Sequence, residues 1–140
     1  MKISFTVKGD PVGWQRTGNN KKTGALYTQE KTRQHEQLVA WSYRQQCGRF
    51  RFPNKTYIDL RVFAYLKIPK SATKRDREKM ISGEIRPTVK PDFDNIGKLV
   101  ADALNGIAYD DDKCIVDAVV RKFYSTDPRT VVILQEAQHK

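Results

Sequence analysis

The stretch from Pro87 to Asp117, PTVKPDFDNIGKLVADALNGIAYDDDKCIVD, is the most informative part of this chain. It holds seven of the sixteen acidic residues but only three of the 26 Lys and Arg residues, so its net charge is −4. The remaining residues therefore carry +14, within a total formal charge of +10. An acidic segment inside a strongly basic protein predicts a metal-binding carboxylate site that is held against a polyanionic partner.

One amphipathic helix is predicted inside this stretch, from Asn95 to Leu104. Its apolar residues recur at the spacing i, i+3, i+4, i+7 and i+8, as in Ile96, Leu99, Val100, Ala103 and Leu104. Asp94 is well placed as the N-cap of this helix, and Asn105-Gly106 as its end. Lys98 lies one turn beyond Asp94 on the opposite, polar face, and Asp102 lies a turn further.

Two groups of carboxylates flank the helix. Pro91 disfavours a helical conformation at the residue before it, so Asp92 and Asp94 are expected to lie in an extended segment and point to one side. The second group is the turn Asp110-Asp111-Asp112, which leads into a strand. A helix of about ten residues is ~15 Å long, too far for shared metal ligation unless the following loop doubles back or the groups meet in another way. The sequence leaves this geometry open.

Clustered carboxylates are hard oxygen ligands that suit Mg²⁺ or Mn²⁺. On a phosphodiester, such an ion activates water and neutralises the developing charge, and a nearby Lys steadies the pentavalent state. Neither His35 nor His139 has the neighbours needed for Ser-His-Asp or Cys-His catalysis, so a hydrolase here would use metal and carboxylates. The structural alternatives are an Asp94 that only caps its helix, worth ~1 kcal/mol, and an acidic turn that is merely solvated.

The rest of the chain predicts a single α/β (α+β) domain over residues 1–140, in which two main helices pack on a mixed sheet of about four strands. A basic loop is expected between the first strand and Tyr27. Either Arg16, Lys21 and Lys22 contact phosphate there and Trp14 and Tyr27 stack on bases, or the loop is merely solvated and Trp14 packs on the core. The elements, placed from apolar periodicity and turn residues, are a strand at 3–7, a helix at Thr28–Cys47, a strand at Thr56–Leu66, the helix Asn95–Leu104, and strands at Val116–Tyr124 and Thr130–Leu134 paired as a hairpin.

A basic segment, Lys67 to Lys90, leads directly into the acidic stretch. It contains eight basic and three acidic residues, and a short helix is expected to start at Ser71–Thr73. A run of this kind either forms a solvated face or binds the ligand on which the acidic stretch acts. The candidate DNA contacts are Arg16, Lys74, Arg75, Arg77 and Lys90.

Composition sets the remaining limits. A sequence pI near 9.7 favours an anionic partner, most often nucleic acid. The two cysteines, Cys47 and Cys114, have neither a CxxC motif nor a nearby His, so a reduced, cytoplasmic protein is expected. No stretch approaches the ~20 apolar residues that span a membrane, so no membrane partner is expected.

The run Asp92-Phe-Asp94-Asn95-Ile-Gly-Lys98 is followed by Asp102-Ala-Leu104, an Asp-Asp turn and an apolar strand. This pattern resembles the RusA family of Holliday-junction endonucleases, and the resemblance extends more weakly to Pro11–Arg16 and Tyr27. It implies a small homodimeric α/β enzyme of bacteria and their prophages. Such an enzyme needs Mg²⁺, with Mn²⁺ as a substitute, and makes paired symmetric cuts in four-way DNA junctions during recombination and repair.

The resemblance also implies roles for individual residues. Asp92 and Asp94 correspond to the two family aspartates before the helix, and Lys98 to the catalytic lysine. The third family aspartate corresponds to Asp112, with Asp111 as its partner; because this chain has three aspartates there, the choice between them stays open. The implied dimer offers a second way to bring the carboxylates together, across the subunit boundary. The basic segment is longer than in the family, so no base preference at the cut is inferred.

Two other functions fit parts of the same pattern. A non-enzymatic DNA-binding module would use the basic surface and keep the acidic stretch for structure. A PD-(D/E)xK nuclease would use Pro91-Asp92 together with Asp111-Asp112-Lys113, although that motif normally spans adjacent strands and a helix intervenes here.

Overall fold

The computed structural model describes the backbone of residues 1–15 and 23–138 and the side chains of residues 1–15 and 30–138. Its elements, in chain order, are β1 (Lys2–Lys8), α1 (Thr23–Cys47), β2 (Ile58–Lys67), α2 (Lys74–Ser82), α3 (Phe93–Ala103), β3 (Ile115–Ser125) and β4 (Arg129–Glu136). A short 3₁₀ turn, Asp112–Cys114, precedes β3. The α+β class and the mixed sheet of four strands are therefore confirmed.

The strand order in the sheet is β1-β4-β2-β3, with β2 and β3 parallel and the other pairs antiparallel. The expected hairpin of the last two strands is wrong, because β2 lies between them. β2 carries an unbroken alternation of buried apolar residues, which suits a central strand. The linker of three residues between Ser125 and Arg129 can span ~13 Å, enough to cross the ~10 Å between strands that flank a third.

The core lies between one face of the sheet and the helices α1 and α3. The predicted inward residues of β2 are all buried: Ile58, Leu60, Val62, Ala64 and Leu66. Val39 and Tyr43 of α1 are fully buried, and the Tyr43 ring meets Phe5 of β1 edge-on at 5.4 Å. Ile96 and Leu99 of α3 are also buried, so α3 is fixed on the sheet through its apolar stripe.

The start of α1 differs from the prediction, and the basic residues of the loop before it lie outside the described residues. α1 starts at Thr23 rather than Thr28, so Tyr27 belongs to the helix and not to the loop. Ala and Leu in the sequence TGALY favour this longer helix. The proposed loop contacts Arg16, Lys21 and Lys22, and His139 near the other end, lie outside the described residues.

The short helix expected after Thr73 is present as α2. The Thr73 hydroxyl accepts a hydrogen bond from the Asp76 backbone N–H at 3.1 Å, and Gly83 ends the helix in the left-handed conformation. Within the described residues, no helix combines the length and apolarity that a bilayer crossing requires. Cys47 and Cys114 are free thiols.

Candidate active site

The start of α3 differs from the prediction in a way that affects two candidate residues. The helix begins at Phe93, so its N-cap is Asp92 and not Asp94. The backbone oxygen of Asp92 accepts the first helical hydrogen bond, from Ile96 at 3.1 Å, which is why the helix extends two residues further than the side-chain pattern indicated. The Asp92 carboxylate makes no capping hydrogen bond.

Asp94 therefore lies in the first turn, where its Oδ1 accepts a hydrogen bond from the Asn95 N–H at 3.0 Å. Its expected role as the helix cap is wrong. Both residues stand at the positive end of the helix dipole, where acidic side chains favour helix stability. Capping thus does not explain why this helix begins with two aspartates, and both carboxylates remain candidates for ligand binding.

The loop after α3 does double back. Gly106, at a φ of 73°, starts a tight turn that is closed by its N–H donating to the Tyr109 carbonyl at 2.8 Å. The buried Tyr109 hydroxyl then donates to the Ala101 carbonyl of the helix at 2.6 Å. The Asp112 N–H donates to the Asn105 side chain at 2.8 Å. These bonds bring Asp112 back alongside the helix within one chain.

As a result, one open cavity of about 690 Å³ is lined by Asp94, Lys98 and Asp112, which are three of the four predicted catalytic residues. The fourth, Asp92, lines an adjacent cavity of about 740 Å³, which Asp94 also borders. Asp111 does not line either of these cavities. Its carboxylate instead accepts the Lys113 N–H at 3.0 Å and so caps the 3₁₀ turn.

Lys98 is held from two sides. Its Nζ lies 3.4 Å from Asp102 Oδ2 and 4.9 Å from the centre of the Trp14 ring. Trp14 is in turn fixed to the start of α3, because its N–H donates to the Asn95 carbonyl at 2.8 Å. Trp14 is half-buried against the core, which favours the packing interpretation of this residue over base stacking.

The sequence analysis named Trp14 and Asp102 but did not predict that they contact Lys98. The spacing of four residues between Lys98 and Asp102 is a signal that identifies the second. No local signal identifies the first, because the contact joins a loop to a helix that is distant in the sequence.

The electrostatics of the site are dominated by crowded carboxylates. Burial raises the pKa of the Asp112 carboxyl, and a hydrogen bond with Asp102 and the charges of Asp102 and Asp111 raise it further, against the opposing effect of Lys98. Burial and then the charge of Asp102 raise the pKa of Glu36 on α1 in the same way. A cation placed among these groups would relieve their repulsion.

The donor set fits Mg²⁺ in its chemistry. No three His, Cys, Asp or Glu side chains within residues 1–15 and 30–138 form a ready-made metal cage. Mg²⁺, however, is usually held by one or two carboxylates together with water and substrate phosphates. Asp94 and Asp112, lining one cavity, match that mode of binding.

The other predicted residues are distributed as follows. Lys74, Arg75 and Arg77 are exposed on α2, none of whose residues is buried, and Lys90 lines the same cavity as Asp92. The PD-(D/E)xK pattern is not supported by this geometry, since its Lys113 is exposed in the 3₁₀ turn and does not line the cavity of Asp94 and Asp112.

Comparison with known proteins assigns the chain to a family. Residues 8–135 match the family described as endodeoxyribonuclease RusA. The chain is also 36% identical over 136 residues to the uncharacterized protein YqaN of Bacillus subtilis (strain 168), a match that covers 96% of each chain. The expectation of an enzyme, a Holliday-junction-resolving endodeoxyribonuclease, is thereby confirmed over the non-enzymatic alternative. The chain belongs to the RusA family of endodeoxyribonucleases.

Proposed function

We propose that this protein resolves four-way DNA junctions in recombination and repair by a divalent-metal-dependent, paired and symmetric cleavage of two phosphodiester bonds. It acts in the cytoplasm as a homodimer, each chain forming one nuclease domain with one active site. Its cofactor is Mg²⁺, for which Mn²⁺ substitutes. The observation that carries the proposal is the single cavity that collects Asp94, Lys98 and Asp112 from two separate parts of the chain.

Asp92, Asp94 and Asp112 would hold the ion. When bound, the ion supplies an activated water and neutralises charge on the scissile phosphate. Lys98 places its ammonium group in the same cavity, where it stabilises the extra negative charge that the phosphate gains in the transition state. Asp102 and the Trp14 ring keep that ammonium group in place.

The basic residues bind the phosphate backbone of the DNA. Lys74, Arg75 and Arg77 of α2 are exposed to solvent, and Lys90 lines the same cavity as Asp92, so these four residues are suited to contact DNA phosphates. Arg16 is retained as a fifth contact from the sequence pattern.

The test is a cleavage assay with a labelled four-way junction, a linear duplex and a single strand of the same sequence. We expect paired, symmetric nicks in the junction alone with Mg²⁺ or Mn²⁺, and no cutting in EDTA. Equal cutting of the linear duplex would contradict junction selectivity. Junction binding without cutting in either ion would contradict the proposed metal chemistry.

Substitutions then separate the proposed ligands from their neighbours. Asp92→Asn, Asp94→Asn, Asp112→Asn and Lys98→Met should each slow cutting by about 10²–10³-fold or more and leave junction binding intact, since each removes a charge needed in the transition state. Asp111→Asn is the matched control, because Asn also caps a turn and Asp111 does not line the cavity. If Asp111→Asn abolished cutting and Asp112→Asn stayed active, Asp111 and not Asp112 would be the metal ligand.

A further inference from the structure

Phe93 is an exposed aromatic residue directly between two proposed metal ligands, Asp92 and Asp94. Helical spacing places it in line with Ile96 and Val100, which are both buried, yet 64% of Phe93 is exposed. As the first residue of α3, it lies beyond the edge of the core that covers the other two. A Phe exposed to this extent gains little from the hydrophobic effect, and its ring is accessible to a ligand.

The position of Phe93 is also unusual. It borders both the cavity of Lys98 and Asp112 and the adjacent cavity of Asp92 and Lys90, and so forms the ridge between them. The second cavity adds another cation, Lys122, and an apolar side chain, Val89, which is 55% exposed. The ridge therefore offers an aromatic ring with Lys90 and Lys122 on one side and Lys98 on the other, and the proposed metal ligands line both cavities.

We propose that the Phe93 ring stacks on a nucleobase at the branch point of DNA and so selects branched over linear substrates. This inference rests on the proposed function. A ligand here must present a flat apolar face beside phosphates, because cations and metal-binding carboxylates surround the ring. Inside a linear duplex the faces of the bases are covered by their neighbours, whereas an opened branch point exposes them, so branched DNA offers the ring an internal partner without an unstacking cost.

The first measurement is the ratio of the dissociation constants for linear duplex and four-way junction, in the non-cutting Asp112→Asn background. Loss of one stacked base is expected to reduce this ratio by about 5- to 100-fold in Phe93→Ala. Phe93→Trp should preserve it, since indole also stacks. Trp41→Ala is the matched control, because Trp41 is 59% exposed on α1 and lines neither cavity.

The second measurement uses a junction with 2-aminopurine as an unpaired base at the branch point. Binding should quench its fluorescence, and Phe93→Ala should abolish the quenching while the melting temperature stays unchanged. An unchanged affinity ratio and unchanged quenching in Phe93→Ala would overturn the proposal. So would conversion of dimers into monomers by Phe93→Ala in sedimentation, because a second copy of the chain would then cover the ring.

The same experiments distinguish a failure of the proposed role of Phe93 from a failure of the proposed nuclease function. If the unmodified protein cuts junctions and Phe93→Ala behaves like Trp41→Ala, the role of Phe93 fails and the nuclease stands. If the unmodified protein neither binds nor cuts junctions, both fail together.

Discussion

Asp102 occupies an unfavourable position in the helix that carries it. It lies in the last turn of α3, at the negative end of the helix dipole, and no basic residue is present in that turn. It also lies close enough to Asp112 to hydrogen-bond with it, and its charge raises the pKa of Glu36. Among the described residues, the cation that pairs with it is Lys98, in a partly exposed ion pair, so its position is better explained by the site than by the fold.

Asp102→Asn should therefore leave the free energy of unfolding unchanged or raise it by up to about 1 kcal/mol. Relief of the dipole contributes about 0.3–1 kcal/mol, and loss of the ion pair subtracts about 0.3–0.5 kcal/mol. Cutting should slow by up to about fivefold, because Lys98 is less well held. Urea unfolding and single-turnover cleavage measure the two effects.

The control is Asp94→Asn, which removes a charge from the opposite, positive end of the same helix and should lower stability. A loss of more than about 1 kcal/mol in Asp102→Asn would show that Asp102 has a structural role instead.

Gly13 fixes the loop that carries Trp14 against the start of α3. A Cβ at this position would lie 2.9 Å from Pro91 Cβ and 3.0 Å from Asn95 Cβ, with backbone close behind. Gly13→Ala should therefore push the loop away, at a cost of about 1–3 kcal/mol in stability, and slow cutting as Lys98 loses the Trp14 ring. Thermal unfolding and cleavage rates measure both losses.

Gly97→Ala is the comparison for Gly13→Ala. Its added Cβ would meet only Val120 Cγ2 at 3.2 Å, and the gain of about 1 kcal/mol in helix propensity offsets that contact. Equal losses in the two variants would refute a specific role for the Gly13 contact.

At the scale of single residues, the sequence named the charged candidates for the site but not the residues that hold them in position. Asp94 and Lys98 stood out because carboxylates and a lysine at these spacings have few structural uses together, Asp112 followed from the resemblance to the RusA family, and the structure brings the three to one cavity. The roles of Gly13 and Trp14 in the site could not be predicted, because they depend on a loop that packs against a helix about 80 residues later in the chain.

At the scale of elements, α2 is a helix held by its caps rather than by burial. None of its nine residues is buried, and its sequence KRDREKMIS presents cations to solvent. Such a helix adds little to the core, so its charges can be changed without unfolding the protein. This makes α2 the cleanest element in which to test the proposed DNA contacts.

Replacing Lys74, Arg75 and Arg77 together with Gln should weaken junction binding and leave the melting temperature unchanged. If all three contact phosphates, the slope of log affinity against log salt should fall by about one per residue. Gln replacing the exposed Lys2, Lys8 and Lys55 gives a control of equal charge away from α2. The same loss of slope in both triple variants would show general electrostatic attraction and no specific contact through α2.

The elements themselves were largely predictable, because apolar periodicity is a local property. The stripe of α3 and the alternation of β2 were both identified from their residues. The pairing of strands is not local, and this is why the hairpin prediction failed. β3 and β4 are separated by only three residues, yet β2 takes the place between them because its inward face is the most completely buried.

At the scale of the whole molecule, charge and topology act together. A basic chain surrounds an acidic site, and the turn after α3 brings Asp112 to the cavity that Asp94 and Lys98 also line, within one chain. The sequence could not decide this, because a straight helix of this length separates the two groups. The remaining question concerns the proposed dimer, in which the carboxylates of one site come either from one chain or from both.

A mixed dimer distinguishes a site formed by one chain from a site shared between two chains. Subunits with Asp94→Asn and Asp112→Asn, carrying different affinity tags, are co-expressed and purified through both tags. Because Asp94 and Asp112 line one cavity of a single chain, each subunit of this dimer lacks one ligand, and we expect no cutting. If sites were completed across the boundary, one intact site would remain and nick a single strand of the junction.

The control pairs an unmodified subunit with an Asp94→Asn subunit. One intact site should then nick one strand and leave its symmetric partner uncut, whereas the unmodified dimer cuts both. Single-strand nicking by the doubly substituted mixed dimer would contradict the one-chain site. Paired cutting by the half-substituted dimer would instead contradict the assignment of one site to each subunit, since a single site would then serve both strands.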